Sequence, residues 1–205
     1  MEENPLLTDL AALLGDQGVL TDDDSIAYFG SDLFFTGERP AGIAAPGSIE
    51  ELVETVKLCT RSTVAIMPRG GGLSYTAGYI NQEPNVRAVV IDTRRLNRII
   101  DLNFDNMTIT VECGCTWEQI MNAASEHGLR VPMFGPSTGR YSTVGGSLSN
   151  NCMFFGSAKV GTAADVVLGL EVLTADGNII PTGSGSIENS IPFFRNHGPD
   201  LTGLF

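Results

Sequence analysis

Two glycine-rich segments, far apart in the chain, carry the residue types that bind phosphate groups. The first is Arg69-Gly70-Gly71-Gly72-Leu73-Ser74, and the second runs from Gly135 to Gly146. Because glycine has no Cβ atom, its backbone adopts positive φ and comes close to a ligand, so that successive N–H groups converge on an anion. Together the two segments indicate a site for a large phosphorylated cofactor.

Two common phosphate-binding motifs do not fit these segments. A dinucleotide-binding turn, G-x-G-x-x-G, would need a glycine where Tyr75 stands. A nucleoside triphosphatase loop would need a lysine after Gly161, and the residue there is Thr162. Both classes are excluded.

The predicted elements place the first segment at the end of a buried strand. The branched apolar run Val64–Met67 is typical of such a strand, and a strand is also expected at Ile43–Ala45. Ser48 and Glu51 form a capping box for the helix between them. The resulting β-α-β unit has its glycine segment at the carboxyl end of a strand, where ligands bind in open α/β sheets.

Other elements follow from caps and periodicity. A first helix begins after Asn4 and ends at Gly15, and Asp22-Asp23-Asp24 is interpreted as a solvated turn rather than a metal site. No metal ligand set is proposed. The remaining predictions are strands at Ala88–Ile91 and Met107–Cys113, a helix capped by Thr116 and Gln119 that stops at Gly128, and a hairpin of Val166–Thr174 with Ile179-Ile180 across Asp176-Gly177.

The four cysteines lack paired C-x-x-C spacing and are expected to be reduced thiols. Cys113 and Cys115 stand two apart on a predicted strand, so the pattern places them on one face. Chelation or oxidation is conceivable there, but free cysteine is most often buried, and buried packing is the favoured interpretation.

Composition indicates a folded protein and excludes some partners. The 205 residues are 42% hydrophobic, which supports real cores, and the net charge of -12 argues against nucleic acid, which requires clustered Lys and Arg. No apolar run is long enough to span a bilayer, and the N-terminus lacks a secretory signal. We therefore expect a cytoplasmic protein.

Both glycine segments resemble the flavin-binding domain of the vanillyl-alcohol-oxidase-like superfamily of FAD oxidoreductases, above all its glycolate oxidase and D-lactate dehydrogenase branch. The likeness continues through Ser142–Asn151, Val166–Leu173 and Ala175-Asp176-Gly177. It implies FAD as the cofactor and an α/β (α+β) PCMH-type fold, with mixed β-sheets flanked by helices. Residues 1–205 would be the FAD-binding domain, with subdomains of approximately 1–98 and 99–205.

The resemblance also implies which residues contact the cofactor. Main-chain donors of the first segment would hold the pyrophosphate, and hydroxyl, amide and backbone groups of the second would meet the ribityl chain, phosphate and ring edges. A turn or cap hydrogen bond is the alternative role for each serine and threonine. The implied residues are Pro68, Arg69, Gly70, Gly71, Gly72, Leu73 and Ser74 in the first segment, and Pro136, Ser137, Thr138, Thr143, Gly146, Ser149 and Asn150 in the second.

Departures from the family pattern refine these expectations. Some branches attach flavin through a histidine of the first loop, where this chain has Leu73. The berberine-bridge-like branch has a second link through a cysteine near the position that is Tyr141 in this chain, so non-covalent FAD is expected. Relatives are longer and carry a substrate-binding cap domain that is absent here, so we expect a fragment, a truncated product, or a subunit completed by a cap from elsewhere. His127 and His197 are the only histidines, and neither is assigned as a catalytic base.

The expected function is therefore that of an FAD-dependent oxidoreductase domain, which takes hydride from a small 2-hydroxy acid such as glycolate or D-lactate in a complete enzyme. A flavin-binding or interaction module without turnover of its own is an alternative. An oxidase of phenolic or other alcohols is a further one, since one flavin fold serves several substrates.

Overall fold

The computed structural model describes residues 4–15, 17–132, 135–136, 139–186 and 198–205. They form two compact units, Met1–Leu96 with Ala175–Gly177, and Asn97–Thr174 with Asn178–Phe205. None of the helices in these ranges is long and apolar enough to cross a membrane. The helices are α1 Pro5–Leu14, α2 Asp23–Phe29, α3 Ile49–Arg61, α4 Trp117–Ser125, α5 Val144–Ser149 and α6 Ser157–Val160, and the strands are β1 Val19–Leu20, β2 Gly42–Ala44, β3 Ala65–Arg69, β4 Ala88–Asp92, β5 Ile99–Asn103, β6 Thr108–Val111, β7 Glu171–Leu173 and β8 Ile179–Pro181.

The first unit contains a four-stranded sheet in the order β1-β2-β4-β3. Strands β2, β4 and β3 are parallel, and β1 pairs antiparallel with β2. This is the mixed α/β architecture that the sequence predicts, and it is confirmed. The β-α-β unit is β2-α3-β3, with β4 inserted between its two strands, and every residue of β4 is buried.

Helix α3 begins where the capping residues predict. Ser48 Oγ accepts a hydrogen bond from Glu51 N at 3.2 Å, whereas the Glu51 carboxylate accepts from Gly47 N, one residue earlier than in a standard capping box. The helix buries Val56 and Cys59. Cys59 joins the apolar face of α1 in one core cluster, which contains Leu6, Leu10, Leu14, Ala44, Cys59, Val64 and Val89.

The aspartate run at residues 22–24 begins a helix, so the prediction of a solvated turn there is wrong. Asp22 Oδ1 accepts a hydrogen bond from Ser25 N at 2.9 Å and caps α2. Asp23 and Asp24 lie in the first turn, where negative charge is favoured by the helix dipole. The helix is only seven residues long, and it buries Ile26 and Phe29, too few apolar positions to reveal a helical period.

The second unit contains two antiparallel hairpins, β5 with β6 and β7 with β8. Strand β7 covers only Glu171–Leu173, so the predicted strand from Val166 is too long. Val166 is instead the last residue of the 3-10 turn Ala163–Val166, in which the Asp165 carboxylate accepts hydrogen bonds from Thr162 N and Thr162 Oγ1, and residues 167–170 belong to no helix or strand. The turn at Asp176-Gly177 is confirmed, with Gly177 at φ +81°.

The paired-cysteine prediction is also corrected by the structure. Strand β6 ends at Val111, and Cys115 N donates to Glu112 O in a tight turn. The turn breaks the alternation of the strand, so Cys113 is exposed while Cys115 is fully buried. Burial raises the pKa of the Cys115 thiol to about 11, with the Glu112 charge as a smaller cause. The two thiols do not lie on a common strand face.

A buried carboxylate fastens the start of β5 to the end of β6. Glu112 accepts hydrogen bonds from Arg98 N, Nε and Nη2 at 2.7–3.0 Å, and its side chain is 2% exposed. The side-chain hydrogen bond from Arg98 is the largest influence on the Glu112 pKa and lowers it, with the Arg98 backbone bond and charge acting in the same direction against desolvation. Such a carboxylate stabilises the fold fully above its unfolded pKa, and this stabilisation is lost as the pH falls through its folded pKa.

We expect Glu112→Gln to lower the free energy of unfolding by about 1–2 kcal/mol at neutral pH, because it removes charge-assisted hydrogen bonds. Denaturant titrations at about pH 7 and about pH 3 should show the difference from the unchanged chain shrinking in acid. Glu54→Gln is the matched control, since the Glu54–Lys57 pair is largely exposed and worth little. An equal loss in both variants, or a loss independent of pH, would contradict the role given to Glu112.

Candidate functional site

The first glycine segment lies at the carboxyl edge of the parallel strands. Strands β2, β3 and β4 end at Ala44, Arg69 and Asp92, and the glycine loop, defined here as Gly70–Ser74, follows β3 directly. All five loop residues are partly buried, whereas Pro68 before them is exposed. The predicted residues Gly70, Gly71, Gly72, Leu73 and Ser74 are thus placed at the edge where open α/β sheets bind ligands.

The N–H groups and the carbonyl groups of the glycine loop differ in their hydrogen bonding. Among the described residues, the N–H groups of Gly70–Thr76 donate no hydrogen bond to a protein acceptor. Two of the loop's carbonyl groups, and the carbonyl just before the loop, accept hydrogen bonds from side chains: Tyr79 Oη lies 2.9 Å from Gly72 O and 3.1 Å from Ser74 O, and Thr93 Oγ1 lies 3.2 Å from Arg69 O. A run of N–H donors without protein acceptors is what an anion-binding loop requires.

Gly72 is the loop residue whose backbone demands glycine. Its φ is +68°, and a Cβ at this position would lie 2.6 Å from Arg69 Nη2. Gly70 and Gly71 do not have positive φ, so the conformational reason predicted for three glycines applies to Gly72.

The Arg69 side chain points into the protein. The residue is 5% exposed, and its Nη1 donates to Tyr28 O at 2.8 Å and to Ser31 O at 3.3 Å, beyond the end of α2. Its guanidinium lies 4.5–4.9 Å from the ring centres of Tyr28, Phe29 and Tyr79. Arg69 therefore anchors the loop to α2, and a contact with the cofactor stays a prediction for its main chain.

The Asp32 side chain links its own turn to the segment that follows the glycine loop. Its Oδ1 accepts from Phe34 N and Phe35 N at 2.7–2.8 Å, and its Oδ2 accepts from Ala77 N at 2.8 Å. Desolvation raises the Asp32 pKa, but these three bonds and the Arg69 charge outweigh it, so the pKa lies below its ordinary value. The sequence prediction did not include Asp32, although an aspartate that bonds the N–H two residues later is a known turn signal.

The second glycine segment is built around α5. Thr143 is buried and caps this helix by accepting from Gly146 N, while Ser149 Oγ donates to Gly145 O and Asn150 Nδ2 donates to Gly146 O. Pro136 O accepts from Ser142 Oγ at 2.9 Å. The predicted residues Pro136, Thr143, Gly146, Ser149 and Asn150 thus each have a local turn, cap or helix bond, and Ser137 and Thr138 lie outside the described residues.

The glycines of the second segment allow close packing inside the second unit. A Cβ on Gly135 would lie 2.0 Å from Trp117 Cδ1, and one on Gly145 would lie 2.8 Å from Cys113 Cβ. Trp117 Nε1 donates to the buried Ser147 Oγ at 2.8 Å. Gly145 N also donates to Cys113 O. These contacts fix the backbone of residues 143–150 against the segment that follows β6.

The histidines offer no assembled catalytic group in the described ranges. The His127 ring lies 4.4 Å from the Phe104 ring, just past the end of α4, and the residue is exposed. The sequence places His127 in the last helical turn, whereas α4 ends at Ser125. His197 lies outside the described residues. The described part of the chain also contains no cluster of three His, Cys, Asp or Glu residues suited to a metal ion.

Comparison with known proteins identifies the family to which the chain is similar. A family model described as FAD binding domain matches residues 40–183. The chain is 32% identical over 166 residues to the glycolate oxidase subunit GlcD of Bacillus subtilis, covering 81% of this chain and 33% of that protein. It is 33% identical over 161 residues to a D-2-hydroxyglutarate dehydrogenase of Xanthomonas citri pv. viticola, covering 78% of this chain and 33% of the relative.

Solved structures support the same fold. The structure of p-cresol methylhydroxylase with substrate bound superimposes with a TM-score of 0.85 at 22% identity, covering 98% of this chain and 40% of that one. An alkyldihydroxyacetonephosphate synthase gives a TM-score of 0.83 at 20% identity, covering 99% and 37%. The chain therefore has the fold of these proteins, and it spans about a third of the length of the two curated relatives.

Proposed function

The chain belongs to this family of FAD-binding domains, FAD is its cofactor, and we propose that it binds FAD non-covalently as the flavin-binding part of an oxidoreductase acting on small 2-hydroxy acids. The observation that carries the proposal is the glycine loop, whose N–H groups have no protein acceptor in the described structure, while Tyr79 bonds two of its carbonyls and Thr93 bonds the carbonyl of Arg69 just before it. A pyrophosphate supplies the acceptors that these donors lack.

The residues near the loop fit the phosphate part of FAD. Gly70, Gly71 and Gly72 present no side chain at the edge of the sheet, and Gly72 has a φ that glycine adopts without strain. Leu73 carries no group that can bond covalently to flavin, which supports non-covalent attachment. We propose that groups of Pro136, Ser137, Thr138 and the segment from Thr143 to Asn150 meet the ribityl chain and ring, in addition to their local bonds.

The proposed substrate class comes from the relatives. Those named above are a glycolate oxidase subunit and a D-2-hydroxyglutarate dehydrogenase, and a D-lactate dehydrogenase of Archaeoglobus fulgidus is 31% identical over 156 residues. Glycolate, D-lactate and D-2-hydroxyglutarate are all 2-hydroxy acids. FAD supplies the acceptor for the hydride from the substrate carbon. The residues of this chain hold and orient the cofactor, and we propose that a cap domain or subunit supplies the groups that bind the substrate carboxylate.

A turnover assay on the chain loaded with FAD tests this proposal. Glycolate, D-lactate and D-2-hydroxyglutarate are supplied in turn with an artificial electron acceptor, and propanoate, which has the carbon skeleton of lactate without the 2-hydroxyl group, serves as the matched control. Sustained reduction with the 2-hydroxy acids, absent without FAD, supports the oxidoreductase function. Sustained reduction by the chain alone would exclude the second candidate, a flavin-binding module without turnover, whereas FAD binding without reduction is expected from both candidates as long as the cap domain or subunit is missing.

A further inference from the structure

The Tyr79 hydroxyl group lies behind the glycine loop, on the side of its carbonyl groups. Tyr79 is 8% exposed, and its Oη is within hydrogen-bond distance of both Gly72 O and Ser74 O. The centre of its ring lies 4.8 Å from the guanidinium carbon of Arg69. The cofactor assignment from the sequence did not include this residue.

Because the peptide group is planar, the Tyr79 contact with the carbonyl groups also determines where the neighbouring N–H groups point. In a planar trans peptide, the C=O of one residue and the N–H of the next point in opposite directions. When the carbonyls of Gly72 and Ser74 point towards Tyr79, the N–H groups of Leu73 and Tyr75 point away from it. The Thr93 hydroxyl group bonds the carbonyl of Arg69, so the N–H group of Gly70 likewise points away from Thr93.

We propose that Tyr79 is a positioning residue of the FAD site, whose hydroxyl holds the Leu73 and Tyr75 N–H groups in the direction of the pyrophosphate. The proposal rests on the proposed function, because it assumes that the loop binds that group. Tyr79 does not touch the cofactor in this account. It acts by pre-organising donors, so that their orientation need not be acquired on binding.

The surroundings of Tyr79 keep its hydroxyl protonated as a donor. Desolvation by burial raises the Tyr79 pKa, and the charge of Asp32 acts in the same direction, against the opposing charge of Arg69. The phenol therefore remains an O–H donor throughout the neutral range. Asp32 also accepts a hydrogen bond from Ala77 N, three residues after the loop, so the chain is held on the carbonyl side of the loop and again just beyond its C-terminal end.

The test compares Tyr79→Phe with Tyr28→Phe in the full chain. The first substitution removes the hydroxyl and keeps the ring, and it is expected to raise the Kd for FAD and for ADP by a similar factor of about two to ten. Tyr28 also stacks on Arg69, but its hydroxyl makes no hydrogen bond among the described residues. Tyr28→Phe should leave both Kd values unchanged.

Amide NMR gives a second readout that a purely structural role would not produce. Addition of ADP should shift and protect the amides of Gly70, Leu73 and Tyr75 in the unchanged chain, with smaller effects on Leu73 and Tyr75 in Tyr79→Phe. A lower melting temperature of Tyr79→Phe with unchanged Kd values would overturn the inference and leave the FAD site intact. Failure of the unchanged chain to bind FAD would overturn the proposed function and this inference together.

Discussion

Replacement of Gly71 by aspartate is expected to raise the Kd for FAD by at least about 100-fold, a loss of about 2.7 kcal/mol. Gly71 lies in the middle of the glycine loop, partly buried, with an N–H that has no protein acceptor in the described structure. A carboxylate there would lie within a few ångströms of the doubly charged pyrophosphate. Each pair of like charges costs about 1–4 kcal/mol at such distances near a protein surface.

The effect of charge is separated from the effect of bulk by Gly71→Asn. The φ of Gly71 is not positive, so both side chains are compatible with the backbone, and asparagine matches the shape of aspartate without its charge. We expect Gly71→Asn to raise the Kd by less than about tenfold. Fluorescence titration with FAD measures both variants, and circular dichroism confirms their folding. A folded Gly71→Asp variant that keeps its affinity for FAD would show that the glycine loop is not part of the FAD site.

Arg69→Ala is expected to lower the free energy of unfolding of the first unit by about 3 kcal/mol. The substitution removes hydrogen bonds from a buried guanidinium to Tyr28 O and Ser31 O, together with its contacts to three aromatic rings. Hydrogen bonds from charged groups contribute about 1.5–3 kcal/mol, and desolvated cation–π contacts add to this. Loss of the anchor should also weaken FAD binding, because the glycine loop begins at this residue.

Far-ultraviolet circular dichroism is the suitable readout for Arg69→Ala, because Trp117, the single tryptophan, lies in the second unit. Arg39→Ala is the matched control. Arg39 forms an ion pair with Asp23, but both side chains are largely exposed, so its loss should cost under about 1 kcal/mol. Arg69→Lys should fall between the two, since lysine keeps the charge without the planar fork. Equal denaturation midpoints for Arg69→Ala and Arg39→Ala would contradict the anchoring role.

The fold was largely predictable where local signals and burial agree. The capping residues Ser48 and Thr116 begin α3 and α4 as predicted, and the branched run at Ala88–Asp92 is the fully buried central strand β4. The Asp176-Gly177 turn likewise has a strong local signal. In these places, a short stretch of sequence contains all the determinants of its own structure.

Prediction failed where a side-chain bond replaces the expected period. Asp22 caps a short helix with little apolar pattern, and the Asp165 carboxylate bonds Thr162 in a 3-10 turn that includes Val166, the first residue of the predicted strand. Strand β5 is not among the strands that the sequence predicts. Its pairing with β6 is irregular between Ile99 and Asp101. Such bonds depend on a few atoms in particular rotamers, and residue spacing alone does not reveal them.

In the candidate site, too, some residues could be predicted from the sequence and others could not. The glycine loop was identified from composition, since three consecutive glycines after a strand are uncommon without a ligand to accommodate. Tyr79, Asp32 and Thr93 were not identified, because their hydrogen bonds to the loop or its flanking residues depend on how the chain folds back around the end of β3. The glycine loop thus has a sequence signature, whereas the residues that hydrogen-bond to it or to its flanking residues have none.

The central claim is that this chain holds FAD without a covalent bond. The most direct test is the visible absorption spectrum of the purified chain, with FAD added if it is isolated colourless, followed by acid precipitation and identification of the chromophore in the supernatant. The purified chain is expected to show a flavin spectrum and to release intact FAD into the supernatant. A folded chain that takes up no FAD, or a flavin that remains with the precipitate, would contradict that claim.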